Sequence, residues 1–509
     1  MVYDIIIIGA GPGGYETAVE AAKRGLQVLI VEAGPVGGTC LNEGCIPTKT
    51  LCRTAELYDD IKVAGDFGIN LNNSDGKDPI NNSLKISLDF GRVIARKDEV
   101  VQQLRSGVEM LLKHKNITLV RGYAKLLDTH NINVTPILEN PNSENAQDGS
   151  NSNNNLESID YQGNNIIVST GSISASLPVP GADLPSVINS GQLLQIDHVP
   201  ERLCIIGAGV IGLEFASIFH SFGSEVTVVE YCKEVLPRFD TDLAKRLRKS
   251  LSSRGINIIT QAQVTSISDI SGNSDSSDNS DSSKLQSESI SSLEGKNQVK
   301  VSYLHKGAEE SVVADKVLMA VGRRANLGSL NFEEVGIELD RRGVVVNENL
   351  QTSVPNIYAI GDINGGMMLA HAAKYQGLKV LDYIMGIESK INLDIMPAAV
   401  FTNPEVAVVG LTEEDCKAQD VEYKALKSFY RANGKSLAMG STEGYCKLLV
   451  TKDDDPKVLG AHIMGAHAAD LIQEVSVLMR EGGSLESLRT TVHPHPTLSE
   501  IVQDAAHSL

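Results

Sequence analysis

Asp4-Ile5-Ile6-Ile7-Ile8-Gly9-Ala10-Gly11-Pro12-Gly13-Gly14 decides how this chain is read, because the design returns at Leu203-Cys204-Ile205-Ile206-Gly207-Ala208-Gly209-Val210-Ile211-Gly212. In each copy an apolar run enters a Gly-x-Gly-x-x-Gly turn, and a helical stretch follows. A second apolar run, 28–31 or 226–229, then ends on an acid, Glu32 or Glu230. The spacing from last glycine to acid is the same in both copies, Gly14 to Glu32 and Gly212 to Glu230. This is the strand–turn–helix–strand–acid order of a dinucleotide-binding unit, written twice. The first glycine permits a tight turn, the second lets a diphosphate approach backbone N–H groups at the helix start, and the third lets helix and strand pack. The acid accepts a bond from a ribose 2′-hydroxyl and repels a 2′-phosphate. After Glu230 come Tyr231, Cys232 and Lys233, with no arginine pair, so the second site favours NAD over NADP.

The rest of the chain narrows the class. It has 509 residues, 42% apolar and 21% charged, which is ordinary globular usage. Lys and Arg number 45 against 64 Asp and Glu, a net charge of −19, which gives no electrostatic reason to bind nucleic acid or anionic lipid. No apolar run reaches the roughly 18–20 residues that span a bilayer. Seven cysteines are too few for a disulfide-stapled secreted scaffold. The first strand begins at once, without room for a basic leader, so a cytoplasmic protein is expected. Three stretches rich in Ser, Asn and Asp, 72–84, 138–157 and 268–297, read as surface loops inserted into the domains. From about residue 396 short strands alternate with helices, among them strands at 445–451 and 459–464 and a helix at 468–480, without a glycine-rich phosphate loop.

Two further constellations carry chemistry. Gly37-Gly38-Thr39-Cys40-Leu41-Asn42-Glu43-Gly44-Cys45-Ile46-Pro47-Thr48-Lys49 sets two cysteines after glycines and before a helix-like run, where a helix dipole lowers a thiol pKa. The alternative, a pair of small buried residues, fits poorly with the Gly, Asn and Glu around them, so a redox disulfide is favoured. The rival Cys45–Cys52 pairing would stretch about 10.5 Å along a helix, too far for a disulfide. Near the C-terminus stands Thr491-Val492-His493-Pro494-His495-Pro496-Thr497-Leu498-Ser499-Glu500. A histidine held by a carboxylate is a general base near neutral pH, but Thr497 to Glu500 is also a capping-box pattern. The residues alone leave those two readings of Glu500 level. The remaining cysteines, Cys204, Cys232, Cys416 and Cys446, lack a partner at useful spacing, and no His/Cys cluster has metal-site spacing.

The Cys40–Lys49 run together with the twin dinucleotide motifs resembles the class I FAD-dependent pyridine nucleotide–disulfide oxidoreductases, and more narrowly their lipoamide-oxidising branch. Ser169-Thr170-Gly171 is similar to the family's Ala-Thr-Gly marker, with serine for alanine, and Thr48 stands where serine is more usual. The resemblance implies two Rossmann-like α/β domains, a central FAD segment and a C-terminal α+β dimerisation domain. The implied bounds are 1–178 for FAD, 179–322 for NAD, 323–395 for the central segment and 396–509 for the interface. To FAD it assigns Gly9, Gly11, Gly14, Glu32, Thr39, Lys49, Ala124, Thr170, Asp362 and the run Met368-Leu369-Ala370-His371; to NAD it assigns Gly207, Gly209, Gly212, Glu214, Glu230, Val264 and Gly322. Without it, Asp362 and His371 read as a turn acid and a helix-start histidine, and Glu214 as an exposed first-turn carboxylate. With it, Glu214 becomes the partner of Lys49, and His495 with Glu500 becomes the acid–base pair; His493 is left structural. The implied reaction is NAD-dependent oxidation of protein-bound dihydrolipoamide through Cys40 and Cys45, in a homodimer whose base comes from the neighbouring subunit. The implied partners are a lipoyl-bearing acyltransferase or a glycine-cleavage carrier protein, with neither nucleic acid nor membrane. Reduction of another small disulfide by NADH, or a mainly scaffolding flavoprotein subunit, are the alternatives.

Overall fold

The isoleucine run 5–8 carries β-branched side chains toward both faces, a composition suited to a strand covered on both sides. It lies in the computed structural model within the strand Val2–Ile8, which pairs in parallel with Val28–Glu32 on one side and Ile159–Val168 on the other. Ile117–Leu126 and Ile357–Ala359 extend this sheet in parallel, and Asn131–Pro136 joins it antiparallel. The structure describes residues 1–69, 87–137, 157–270, 298–328 and 330–508. They divide into two compact units, the first built from 1–47, 98–174 and 323–393, the second from 48–97, 175–322 and 394–509.

The second unit repeats the parallel design. Arg202–Ile206 lies between Glu225–Val229 and Lys316–Met319, with Asn257–Ile259 and Val187–Ile188 at the edges. Ala262–Asp269, Val299–His305 and Ala308–Ala314 form a small antiparallel sheet beside it in sequence. The C-terminal segment is a five-stranded antiparallel sheet in the order Ala398–Val400, Val406–Gly410, Val458–Met464, Tyr445–Thr451, Tyr423–Phe429. The helix Ala468–Arg480 buries Ala468, Ile472 and Val475 against that sheet's Ala407, Val409 and Ile463. This is the expected α/β architecture with an α+β C-terminal part.

The described residues of 48–97, expected within the first nucleotide-binding domain, belong to the second unit. The physical reason is apolar: Leu51, Cys52, Ala55, Phe90 and Val93 join one core with Phe215, Phe219 and Phe222. That core also takes in Val400, Val406, Tyr445 and Met464 of the C-terminal sheet. A buried charge cluster lies in the same unit. Lys447, with no exposed side-chain surface, bridges Asp240 at 2.5 Å and Glu413 at 2.7 Å. His462 is buried among them, its Nε2 is 3.0 Å from the Leu411 carbonyl, and its Nδ1 has no partner. Of the three polar stretches, nearly all lies outside the described residues. Ser268 and Asp269 are an exception, since they end a strand in register with Lys300 and Val299 rather than opening a loop. No helix among the described residues is long and apolar enough to cross a membrane.

Candidate active site

The two glycine motifs have one geometry. A Cβ on Gly14 would stand 1.9 Å from the Gly9 carbonyl oxygen, and one on Gly212 would stand 2.0 Å from that of Gly207. Third glycine and first glycine are thus packed backbone to backbone. The middle glycine is the opposite case: a Cβ on Gly209 meets nothing within 4 Å, and one on Gly11 only the Gly38 Cα at 3.9 Å. Gly11 and Gly209 cap the helices Pro12–Lys23 and Val210–Phe222, and neither helix start has a side-chain acceptor. First-turn N–H groups and an open face together fit a diphosphate.

The acids match as well. Glu32 accepts from the N–H of Ala10 and of Gly34, both at 2.6 Å. Glu230 accepts from the N–H of Ala208 at 2.5 Å and of Cys232 at 2.6 Å. Each carboxylate therefore reaches back to the residue between the first two glycines and fixes the loop. Lone pairs remain for a ribose hydroxyl. Burial pushes the Glu32 carboxyl up, opposed by the bonds from Gly34 and Ala10. Immediately after Glu230 lies a pocket of about 480 Å³ lined by Tyr231, Cys232, Lys233, Gln263 and Lys306. Lys306 was invisible to sequence reasoning, because it arrives on the turn between Val299–His305 and Ala308–Ala314.

Cys40 lies in the short helix Gly38–Glu43, and Cys45 is the first residue of the helix Cys45–Lys62; both are half-buried. The helix start is the position at which the dipole most favours a thiolate. Cys52 differs. It is buried, its thiol donates to the Phe401 carbonyl at 3.4 Å, and burial, followed by the Glu214 charge, pushes its pKa well up. Lys49, one turn beyond Cys45, has its ammonium 2.9 Å from both oxygens of Glu214. Glu214 is buried rather than exposed, and the backbone N–H of Phe401 also donates to it at 2.9 Å. Lys49 additionally lies 4.6 Å from the Phe401 ring centre, a cation–π contact. Phe401 carried no signal in the sequence.

In the first unit Asp362 sits in the 3₁₀ turn Gly361–Asn364 and accepts the Ser172 hydroxyl. Arg323 donates to both the hydroxyl and the carbonyl of Ser172 at 2.7 Å. Burial holds the Arg323 guanidinium below its usual range, while Asp362, Glu43 and Cys45 pull the other way. This Arg323–Ser172–Asp362 chain was not legible from sequence either, since its members lie in three separate segments. Thr170 bonds the Asn326 carbonyl at 2.9 Å. Leu369 caps the helix Ala370–Ile384, Met368 precedes it half-buried, and His371 is exposed in its first turn. Thr39 is exposed, Ala124 is half-buried in Ile117–Leu126, Val264 is buried in Ala262–Asp269, and Gly322 has φ +119° just before Arg323.

At the C-terminus His495 Nδ1 is 2.8 Å from Glu500 Oε1, and the N–H of Thr497 donates to Glu500 Oε2 at 2.8 Å. These contacts, the Thr497 amide first and His495 second, hold the Glu500 carboxyl below the usual range. Only the Thr497 N–H half of the capping box is present; the helix takes Ser499 as its N-cap without a side-chain cap bond, and the Thr497 hydroxyl donates to the Pro494 carbonyl at 2.8 Å. A second pair was missed: His493 Nε2 is 2.8 Å from Glu474.

Residues 3–377 match the pyridine nucleotide-disulphide oxidoreductase family and residues 396–506 match its dimerisation domain. The chain is 35% identical over 507 residues to the mitochondrial dihydrolipoyl dehydrogenase of Pisum sativum, covering 99% of this chain and 90% of that protein. It is 34% identical over 507 residues to the dihydrolipoyl dehydrogenase of Chlamydia muridarum, covering 99% and 96%. Among solved structures it is similar to a Cu(II) complex of RclA, an HOCl-induced flavoprotein disulfide reductase from Escherichia coli. That match has a TM-score of 0.79 and 29% identity, and covers 100% of this chain and 99% of that one. Twin nucleotide loops, a cysteine pair at a helix start and full-length matches to both family segments make this chain a pyridine nucleotide–disulphide oxidoreductase of class I, an FAD- and NAD(P)-binding flavoprotein with a C-terminal dimerisation domain.

Proposed function

We propose that this enzyme catalyses NAD-dependent oxidation of protein-bound dihydrolipoamide to lipoamide, as a cytoplasmic homodimer serving a lipoyl-bearing acyltransferase or a glycine-cleavage carrier protein. The observation that carries the reading is the 2.8 Å His495–Glu500 contact. A dithiol substrate must lose a proton before it can attack, and a carboxylate-held imidazole is the group for that task. With Nδ1 donating to Glu500, Nε2 is the nitrogen left to take the proton.

The chemistry of the chain's own groups then balances. Nε2 of His495, supplied by the second copy, takes a proton from one dihydrolipoyl thiol. The thiolate attacks Cys40 Sγ, the Cys40–Cys45 bond breaks, and Cys45 leaves as a thiolate stabilised at its helix start. The second lipoyl thiol closes on the first sulfur as its proton passes to the departing Cys40 sulfur, leaving lipoamide oxidised by two electrons, which the cysteine pair now holds as the Cys40 thiol and the Cys45 thiolate. Bound FAD supplies the two-electron relay from the thiols to the pyridine nucleotide. The residues that would hold it are those of the first glycine motif with Glu32 and Asp362, while Lys49 is paired with Glu214. The second motif and Glu230 would hold NAD.

Comparing turnover of free lipoamide, lipoyl protein, glutathione disulfide and cystine tests this reading. Preference for the lipoyl substrates is expected. Preference for glutathione disulfide or cystine would instead make the enzyme a reductase of another small disulfide, the activity class that the RclA similarity keeps in view.

A further inference from the structure

The run from Thr491 to Pro496, between the helices Leu485–Thr490 and Glu500–His507, carries the proposed base but offers it little packing. Within a single copy every residue in it except His493 is exposed, and the His495 side chain retains 77% of its accessible surface. A general base needs placement to within about half an ångström, which an exposed run does not give by itself. His493 is the exception. Its ring is 5% exposed, with Nδ1 3.0 Å from the Thr491 carbonyl and Nε2 2.8 Å from Glu474.

Glu474 stands on the helix Ala468–Arg480, whose opposite side is fixed in the C-terminal core through Ile472 and Val475. The Thr491 carbonyl also accepts from Gln503 at 2.7 Å. The run is therefore tied upstream through His493 to Glu474 and downstream through Thr497 to Glu500. We infer that His493 and Glu474 are a positioning pair for His495, holding the run so that its imidazole meets the substrate thiol. This rests on His495 being the base.

The test measures dihydrolipoamide turnover with NAD, and NADH oxidation by an artificial dye, in the intact holoenzyme. His493→Ala should lower kcat about tenfold to a hundredfold, the cost of misplacing a reacting group, with KM little changed. His493→Gln, which keeps a donor toward Glu474, should recover part of the loss, and Glu474→Gln should give an intermediate loss. Dye reduction should be unchanged in all three. In a His495→Gln background, His493→Ala should add no further loss, because there is no base left to position. An equal loss in both backgrounds, a parallel fall in dye reduction, or full turnover in His493→Ala and Glu474→Gln would overturn the inference. Full turnover of His495→Gln alone would instead remove the base assignment, and this pair's role with it.

Discussion

Glu500 divides its two oxygens between His495 Nδ1 and the Thr497 backbone, each at 2.8 Å. One carboxylate thus orients an imidazole and tethers the start of the helix Glu500–His507. Glu500→Ala should lower dihydrolipoamide turnover by roughly 10²–10⁴-fold, the usual worth of general-base assistance. A helix cap alone predicts the reverse pattern, earlier melting with turnover retained. Steady-state rates and a thermal melt on the same preparation separate the two.

The three N-terminal thiols should respond differently. Cys40→Ser and Cys45→Ser should each abolish lipoamide turnover. Cys52→Ser should retain it, because the Cys52 thiol is buried and bonded to Phe401 rather than poised as a thiolate. Assays of the three variants decide the matter, and loss of activity in Cys52→Ser with Cys40→Ser active would sink the assignment.

Glu230→Ala should weaken NAD binding about tenfold to a hundredfold, the loss of one charge-assisted bond of roughly 1.5–3 kcal/mol. Lys233 and Lys306 line the adjoining pocket, so removing the carboxylate should also raise NADP use relative to NAD. Titration of each coenzyme against wild type and variant checks both statements. Equal efficiency of NAD and NADP in the unmodified enzyme would contradict the role given to Glu230.

Lys447→Met should destabilise the second unit by about 3–5 kcal/mol, because the buried Asp240 would be left without its cation and the half-buried Glu413 would lose its partner. Urea unfolding provides the measurement, and replacing Lys447 and Asp240 together should cost less than Lys447→Met alone.

His462 gives stability a pH dependence. Burial holds its pKa below the ordinary value, although Asp240 opposes this. The folded chain therefore keeps the ring neutral while the unfolded chain protonates it below about 6.5. Its contribution to stability is complete above that value and is lost as pH falls toward the folded-state pKa. Between pH 7.5 and 5.5 the urea midpoint should fall, and His462→Phe should flatten that dependence.

The nucleotide loops were legible because their demands are local: three glycines at fixed spacing and an acid one strand later. The helix Ala468–Arg480 and the strand Tyr445–Thr451 were legible for a similar reason, their periodicity being uninterrupted. What escaped were relationships set by tertiary packing. The sequence around Glu214 reads as a solvated helix start, yet Lys49 and the Phe401 amide enclose it. Arg323, Ser172 and Asp362 meet from three segments, and His493 gains its meaning only from Glu474 on another helix.

The core shared by Phe215, Phe219 and Phe222 with Leu51, Phe90, Val400 and Tyr445 limits how this protein can be dissected. The coenzyme-binding half looks portable on paper, with a tidy βαβ motif and clear ends. Cut out as 179–322, it would carry a bare aromatic face and an Asp240 deprived of Lys447. Chimaeras that exchange coenzyme specificity with a relative should therefore move 48–97, 175–322 and 394–509 as one block, or confine the exchange to the few side chains around Glu230.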